Sequence, residues 1–168
     1  MNLFEYLNSL DDGEASAAFR RCCGAEHWIA LMLTSRPFLD DASVFDAAES
    51  CWGQMSSADV HEAFSHHPKI GASIESLRAK FQSTATWSAS EQSSLAQAET
   101  ETLEALAQGN IEYEARFGYI FIVCATGKSA QEMLDLLLAR LTNTPEDELR
   151  IAAGEQAKIT RIRLEKIQ

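Results

Sequence analysis

Apolar residues recur at intervals of three and four along most of the chain, and this spacing constrains the fold more than any other feature. Val44, Phe45, Ala48 and Trp52 show the pattern within residues 43–55. Residues at such intervals share one face of an α-helix. Similar stretches lie at 3–10, 25–35, 57–66, 73–81, 95–106, 129–141 and 144–167. The sequence therefore predicts an all-α protein, a helical bundle of about seven to nine helices in a single domain over residues 1–168.

Capping residues predict where several of these helices begin and end. Asn2 precedes the first apolar-periodic stretch, and Ser129 stands three residues before Glu132, the spacing of a capping box. Thr144-Pro145 begins the last helix, since proline is favoured at the first helical position. Ser88 or Ser90 can cap the helix that follows, and we expect Gly109-Asn110 to interrupt that helix.

One segment, Tyr119–Ala125 (YIFIVCA), does not follow the helical pattern. Its β-branched and aromatic residues suit a strand, but no partner strand is evident elsewhere in the sequence. We interpret it as a buried segment that is extended or leads into a helix. It is far shorter than the roughly 20 apolar residues needed to span a bilayer.

The charge balance narrows the classes of partner. The chain carries a formal net charge of −11 at pH 7 and a pI near 4.7, which argues against nucleic acid or an anionic membrane surface. A small anionic ligand stays compatible, because a few local cations suffice to bind it. The first residues lack a basic region followed by an apolar stretch, so we expect a cytoplasmic protein.

Several familiar sites are absent from the sequence. The four cysteines include no CxxC pair, which disfavours a disulfide framework or a zinc site and favours buried thiols. His61 and His66 are five residues apart, about 140° around a helix, so they do not form a zinc-protease pair. Neither a GxSxG nucleophile motif nor a complete phosphate-binding loop is present. We expect no metal.

Three polar residues stand at informative places but do not define a chemistry by themselves. His67 precedes a proline, which also suits an ordinary surface histidine. Glu91 lies near a helix start, where an acid favours the helix dipole. Arg163 borders the apolar stripe of the last helix, so it either extends outward to solvent or points into a cleft.

Taken in order, short motifs along almost the whole chain resemble the OHCU decarboxylases, which act on 2-oxo-4-hydroxy-4-carboxy-5-ureidoimidazoline. The motifs are Cys22-Cys23-Gly24 with Trp28, Arg36-Pro37-Phe38, His67-Pro68-Lys69-Ile70-Gly71, Ser88-Ala89-Ser90-Glu91-Gln92, Tyr113–Gly118, Phe121–Ala125, Glu155, Lys158-Ile159 and Arg163-Leu164. Each is weak alone, and their joint order is specific.

The resemblance implies a helical bundle that removes CO2 from this small-molecule substrate to give (S)-allantoin in uric acid breakdown, without metal or organic cofactor. By motif, His67 and Glu91 are the catalytic positions and Arg163 binds substrate. The pocket would be lined by Pro68, Ser88, Ala89, Ser90, Gln92, Phe121, Ile122, Val123, Cys124 and Ala125. The family pattern assigns no role to His66.

Two alternatives to this activity stay open at this point. A non-enzymatic helical module could bind a partner helix in a groove, with residues 66–71 as a surface turn. A related enzyme could instead hydrolyse the preceding ureide intermediate. The sequence also leaves open whether the chain forms a homodimer.

Overall fold

The computed structural model describes residues 1–69, 74–81 and 89–167, and for 80–81 and 89–98 it describes the backbone alone. In these ranges every regular element is a helix, which confirms the all-α prediction. The nine helices are α1 Leu3–Ser9, α2 Asp12–Cys22, α3 Glu26–Thr34, α4 Asp41–Trp52, α5 Ser57–Ser65, α6 Ile74–Phe81, α7 Ala89–Phe117, α8 Ala130–Arg140 and α9 Pro145–Glu165.

The described chain forms two compact units. The first unit consists of residues 1–67, 122–124 and 151–168, and the second of residues 68–121 and 125–150. That residues 1–168 are a single domain stays a prediction. No helix in the described ranges combines the length and the apolar character needed to cross a membrane.

Three aromatic side chains pack against one another in the core of the first unit. Phe19 of α2 meets Trp28 of α3 edge-to-face, with ring centroids 6.0 Å apart, and Phe38 in the same way at 6.4 Å. Trp28 is fully buried, and its indole N–H donates to the Ala48 carbonyl at 3.1 Å. Burying each such ring contributes about 1.5–3 kcal/mol to stability, and the indole hydrogen bond satisfies its polar atom.

The long helix α7 packs along α8 in the second unit. Leu103 and Leu106 of α7 are fully buried, as are Met133 and Leu137 of α8. The predicted interruption at Gly109-Asn110 is wrong, because α7 continues to Phe117. A Cβ atom at Gly109 would lie 2.3 Å from Leu137 Cδ2. The lack of a side chain at Gly109 therefore makes room for Leu137, and the helix continues through this glycine.

Two of the predicted caps, at Ser129 and Thr144, are confirmed by hydrogen bonds. Ser129 accepts the backbone N–H of Glu132, and Thr144 accepts that of Asp147, at the starts of α8 and α9. Helix α2 was not assigned from the sequence, although Asp11 and Glu14 form a capping box there. The predicted start at Ser73 and the cap at Ser88 lie outside the described residues, as does the side chain of Ser90.

The apolar segment before α8 is buried, as predicted, and it has no regular secondary structure. Residues 120–125 have no regular secondary structure, and residues 121–124 are buried. The segment therefore contributes backbone groups that are not engaged in a helix.

Gly109 and Gly154 provide a matched test of helix packing, since both lie inside helices. Gly154→Ala should stabilise the protein by about 0.5–1 kcal/mol, because nothing lies within 4 Å of the added Cβ. Gly109→Ala should instead lower the free energy of unfolding, because forcing Leu137 aside costs about 1–3 kcal/mol. Urea denaturation of both variants measures the difference, and equal effects would contradict the packing assigned to Gly109.

Candidate functional site

His67 lies where helix α5 ends. His66 caps α5, and the backbone N–H of His67 donates to the Phe64 carbonyl at 3.1 Å. Pro68 follows, and a residue before proline is disfavoured in a helix. The His66 side chain is exposed, whereas that of His67 is half-buried. The end of α5 therefore directs only the second histidine of the pair into the first unit.

Two side chains of helix α9 contact the His67 imidazole. Its Nε2 lies 2.5 Å from Gln156 Oε1, and its Nδ1 lies 3.5 Å from Arg163 Nη2. Burial lowers the pKa of His67, and the nearby charges of Arg163 and His66 lower it further, while the bond to Gln156 opposes the shift. The pKa of His67 thus lies below the ordinary value of 6.5, and the ring is mainly neutral at pH 7.

Arg163 points into the first unit and not outward to solvent. Its Nη1 donates to the Cys22 carbonyl at 3.2 Å, and Cys22 is the last residue of α2. The final carbonyls of a helix have no partner within the helix and commonly bind a cationic side chain. The end of α2 therefore holds the guanidinium beside His67, which resolves the choice that the spacing left open.

Gln156 also hydrogen-bonds a second buried polar residue of helix α9. Its amide nitrogen donates to Thr160 Oγ1 at 3.1 Å, and the two residues are 0% and 5% exposed. Thr160 also hydrogen-bonds Cys23, whose pKa burial raises to about 11. The His67 ring is thus connected through an amide and a hydroxyl to a protonated thiol.

The irregular segment is held by helix α9 as well. Within the first unit, the backbone N–H of Cys124 donates to Glu155 Oε2 at 2.7 Å. The other oxygen of Glu155 lies 2.5 Å from Lys158 Nζ. Glu155 therefore fixes the backbone of residues 122–124 through a charge-assisted bond.

The described residues bring together only part of the predicted site. His67, Arg163, Ile122, Val123 and Cys124 belong to the first unit, whereas Pro68, Phe121 and Ala125 belong to the second. Ser88 is outside the described residues. Ala89, Ser90, Glu91 and Gln92 lie in the first turn of α7, but their side chains are not described.

Sequence reasoning missed Gln156 and Thr160. The isoleucines of α9 are the apparent apolar stripe in the sequence, but Ile151 is 38% exposed and Ile159 and Ile162 are only half-buried. The buried row takes every fourth residue instead, through Ala152, Gln156, Thr160 and Leu164. The spacing of that row, which ends at an apolar residue, was the signal available in the sequence.

The described part of the chain contains neither a reactive cysteine nor a group of side chains that could hold a metal ion. All four cysteines are free and buried, as predicted, and burial raises the pKa of Cys22 to about 12. Within residues 1–69, 74–81 and 89–167, no three His, Cys, Asp or Glu side chains are placed to hold a metal ion.

A cavity of about 200 Å³ lies elsewhere in the first unit. Its walls include Trp28, Phe45 and Trp52, with Arg161 stacked over Phe45 at 4.4 Å. His67 and Arg163 do not line it. The cavity is mostly apolar, and no histidine lines it.

Comparison with known proteins gives consistent matches. The model of the OHCU decarboxylase family matches residues 8–165. The uric acid degradation bifunctional protein TTL of Arabidopsis thaliana is 40% identical over 148 residues, which are 87% of this chain and 45% of that protein. The chain spans less than half the length of the curated relatives it matches.

Two solved structures are similar in fold. A crystal structure of OHCU decarboxylase in the presence of (S)-allantoin aligns with a TM-score of 0.70 at 37% identity, covering 94% of this chain and 97% of that one. A crystal structure of (S)-allantoin synthase aligns with a TM-score of 0.71 at 19% identity, covering 99% and 54%, and shows the fold alone. Because the family match extends over nearly the whole sequence, and a solved member shares the fold, this chain belongs to the OHCU decarboxylase family.

Proposed function

We propose that this chain catalyses the decarboxylation of 2-oxo-4-hydroxy-4-carboxy-5-ureidoimidazoline to (S)-allantoin, without metal or organic cofactor. The observation that carries the proposal is the pairing of His67 with Arg163, two motif positions of the family that are 96 residues apart in sequence. The uric acid degradation named for the relatives supports the same reaction. A groove for a partner helix would not require an imidazole and a guanidinium to converge.

The substrate can lose CO2 without an external electron acceptor. Its carboxylate and hydroxyl share one ring carbon, and the neighbouring carbon is part of a C=N bond. When the bond to CO2 breaks, its electron pair moves into that C=N group. The neighbouring carbon then gains a proton, while the hydroxyl loses one and becomes the carbonyl of the product. The nitrogen of the former C=N bond takes up a second proton, which comes from solvent, so the overall reaction consumes one proton. One group that accepts the hydroxyl proton and returns it to the carbon balances the rest.

The protonation state of His67 suits this exchange of a proton with the substrate. A histidine that is neutral at pH 7 accepts a proton, and its conjugate acid is strong enough to return it. Arg163 supplies a fixed positive charge that binds the carboxylate and orients it for departure. Burial of the pair lowers the local dielectric constant and strengthens both interactions.

The remaining site residues are proposed from the family motifs. Glu91 would hydrogen-bond the substrate and orient it toward His67. The residues proposed to line the pocket are Pro68, Ser88, Ala89, Ser90, Gln92 and Phe121–Ala125. A flat ligand with alternating donors and acceptors suits backbone groups of an irregular segment. We also propose a cytoplasmic location, in keeping with the small-molecule substrate.

His67→Ala tests the proton exchange. It should lower kcat by roughly 10²–10⁴-fold with a modest change in KM, since the lost group acts in the transition state. His66→Ala is the matched control, because the family motifs assign no role to this exposed neighbour. Steady-state CO2 release above spontaneous decay of fresh substrate measures both variants. Full activity of His67→Ala would exclude the mechanism, and equal damage from both would show that the pair is misassigned.

Arg163→Ala should act mainly on binding. Loss of a charge-assisted bond to the carboxylate should raise KM by about 10- to 100-fold. Arg163→Lys should restore only part of the affinity, because the planar fork is lost. Arg161→Ala, a nearby exposed arginine on α9, is the control. An unchanged KM in Arg163→Ala, with an unchanged melting temperature, would remove Arg163 from the substrate site.

The lowered pKa of His67 predicts the pH dependence. Since the neutral ring is the active form, kcat/KM should stay level at pH 7 and decline only below the ordinary histidine pKa of 6.5. The charge of Arg163 disfavours the imidazolium, so Arg163→Gln should raise the pKa of His67. NMR titration of the ring in both proteins measures the shift, and a lower pKa in Arg163→Gln would contradict the assigned electrostatics.

Chelation tests the absence of a metal from the reaction. Activity should survive extensive treatment with EDTA, because proton transfer by His67 and charge stabilisation by Arg163 need no Lewis acid. Activity is compared before treatment, after treatment and after addition of divalent ions. A loss on chelation that a divalent ion restores would overturn this part of the proposal.

A further inference from the structure

We infer that Gln156 is a positioning residue that sets which ring nitrogen of His67 meets the substrate. The inference rests on the proposed function, because it matters for catalysis only if His67 exchanges the proton. Gln156 is 0% exposed, so its side chain has no contact with solvent. Its amide oxygen lies 2.5 Å from His67 Nε2, within hydrogen-bond distance.

The two contacts of the imidazole select the same tautomer. An amide oxygen only accepts hydrogen bonds, so Nε2 of His67 carries the proton and donates it to Gln156. The guanidinium of Arg163 only donates, so Nδ1, 3.5 Å away, presents its lone pair. In the opposite tautomer, lone pairs would face each other at Gln156 and N–H groups would face each other at Arg163.

Thr160 hydrogen-bonds the far side of the Gln156 amide, in an orientation that agrees with the lone pair presented to Arg163. The amide nitrogen donates to Thr160 Oγ1 at 3.1 Å, which leaves the amide oxygen directed at His67. Thr160 is 5% exposed and belongs to the same row of helix α9. A reversed amide would place its NH2 group against the protonated Nε2 and lose the bond. Side chains on one face of helix α9 therefore fix the position of the His67 ring, its rotation and the nitrogen that carries its proton.

The tautomer determines which ring nitrogen of His67 accepts a proton from the substrate. Nε2 is occupied by Gln156, so Nδ1 is the ring nitrogen that accepts the proton. Nδ1 lies beside Arg163, which binds the substrate carboxylate in the proposed function. Because the hydroxyl and carboxylate share one carbon, a carboxylate on Arg163 brings the hydroxyl toward Nδ1. The base therefore selects substrates that carry both groups on that carbon.

Among the residues that the structure describes, the charged and titratable groups that face His67 are Arg163 on helix α9 and His66 at the end of α5. Both lower the pKa of His67, whereas the bond to Gln156 raises it. Gln156→Glu keeps the acceptor, adds a negative charge and should raise the pKa of His67. Gln156→Met keeps the approximate length, removes the acceptor and should lower that pKa.

The experiment begins with the wild-type protein, so it does not depend on a variant that folds. Long-range ¹H–¹⁵N correlation spectra above pH 7 should show the His67 proton on Nε2 and a bare Nδ1. In Gln156→Met the two tautomers should mix, and kcat should decrease by at least about tenfold with a smaller change in KM. Gln156→Glu should retain the wild-type tautomer, and its acidic limb of kcat/KM should move to higher pH.

His27, a histidine of α3 that pairs with Asp59, is the internal control, since its ring signals should be alike in all three proteins. A His67 proton on Nδ1 in the wild type, or an unmixed tautomer in Gln156→Met, would overturn the inference while leaving the proposed function intact. Full activity of His67→Ala would instead overturn the proposed function. A purely structural role for Gln156 would lower the melting temperature in Gln156→Met without changing the tautomer, and that result also excludes the inference.

Discussion

The hydrogen bond that holds His67 depends on polar side chains that helix α9 buries along one face. Glu148 and Gln156 are 0% exposed, and Thr160 is 5% exposed. A buried polar group costs roughly 1–3 kcal/mol unless it is hydrogen-bonded, so each of these residues must find a partner. Gln156 finds His67 and Thr160, and this requirement places the imidazole against the helix.

Glu148, at the other end of that face, meets the same requirement within the second unit. Its carboxylate accepts bonds from Arg140 Nε at 2.7 Å and Asn143 Nδ2 at 2.9 Å, and from the Tyr113 hydroxyl. A buried ion pair of this kind stabilises little by itself, but removal of one partner is costly. The cluster thus links residues of α7, α8 and α9 in a specific arrangement.

Two helix ends of the first unit bring His67 and Arg163 together. The unpaired carbonyl at the end of α2 positions Arg163, and the end of α5 before Pro68 frees His67 from regular structure. Glu155 fixes the irregular backbone of 122–124 in a comparable way. Helix ends carry backbone groups that need partners, and here side chains of α9 supply them.

The sequence by itself determined the helical class, the caps at Ser129 and Thr144, the burial of 121–124 and the family motifs that single out His67 and Arg163. These depend on local spacing and on short patterns, which a sequence displays directly. Tertiary structure alone decided that α7 passes through Gly109, that Arg163 points inward and that Gln156 contacts His67. Each of these follows from a residue distant in the chain, namely Leu137, Cys22 and His67. Periodicity records which face of a helix is buried, but not which side chain it meets there.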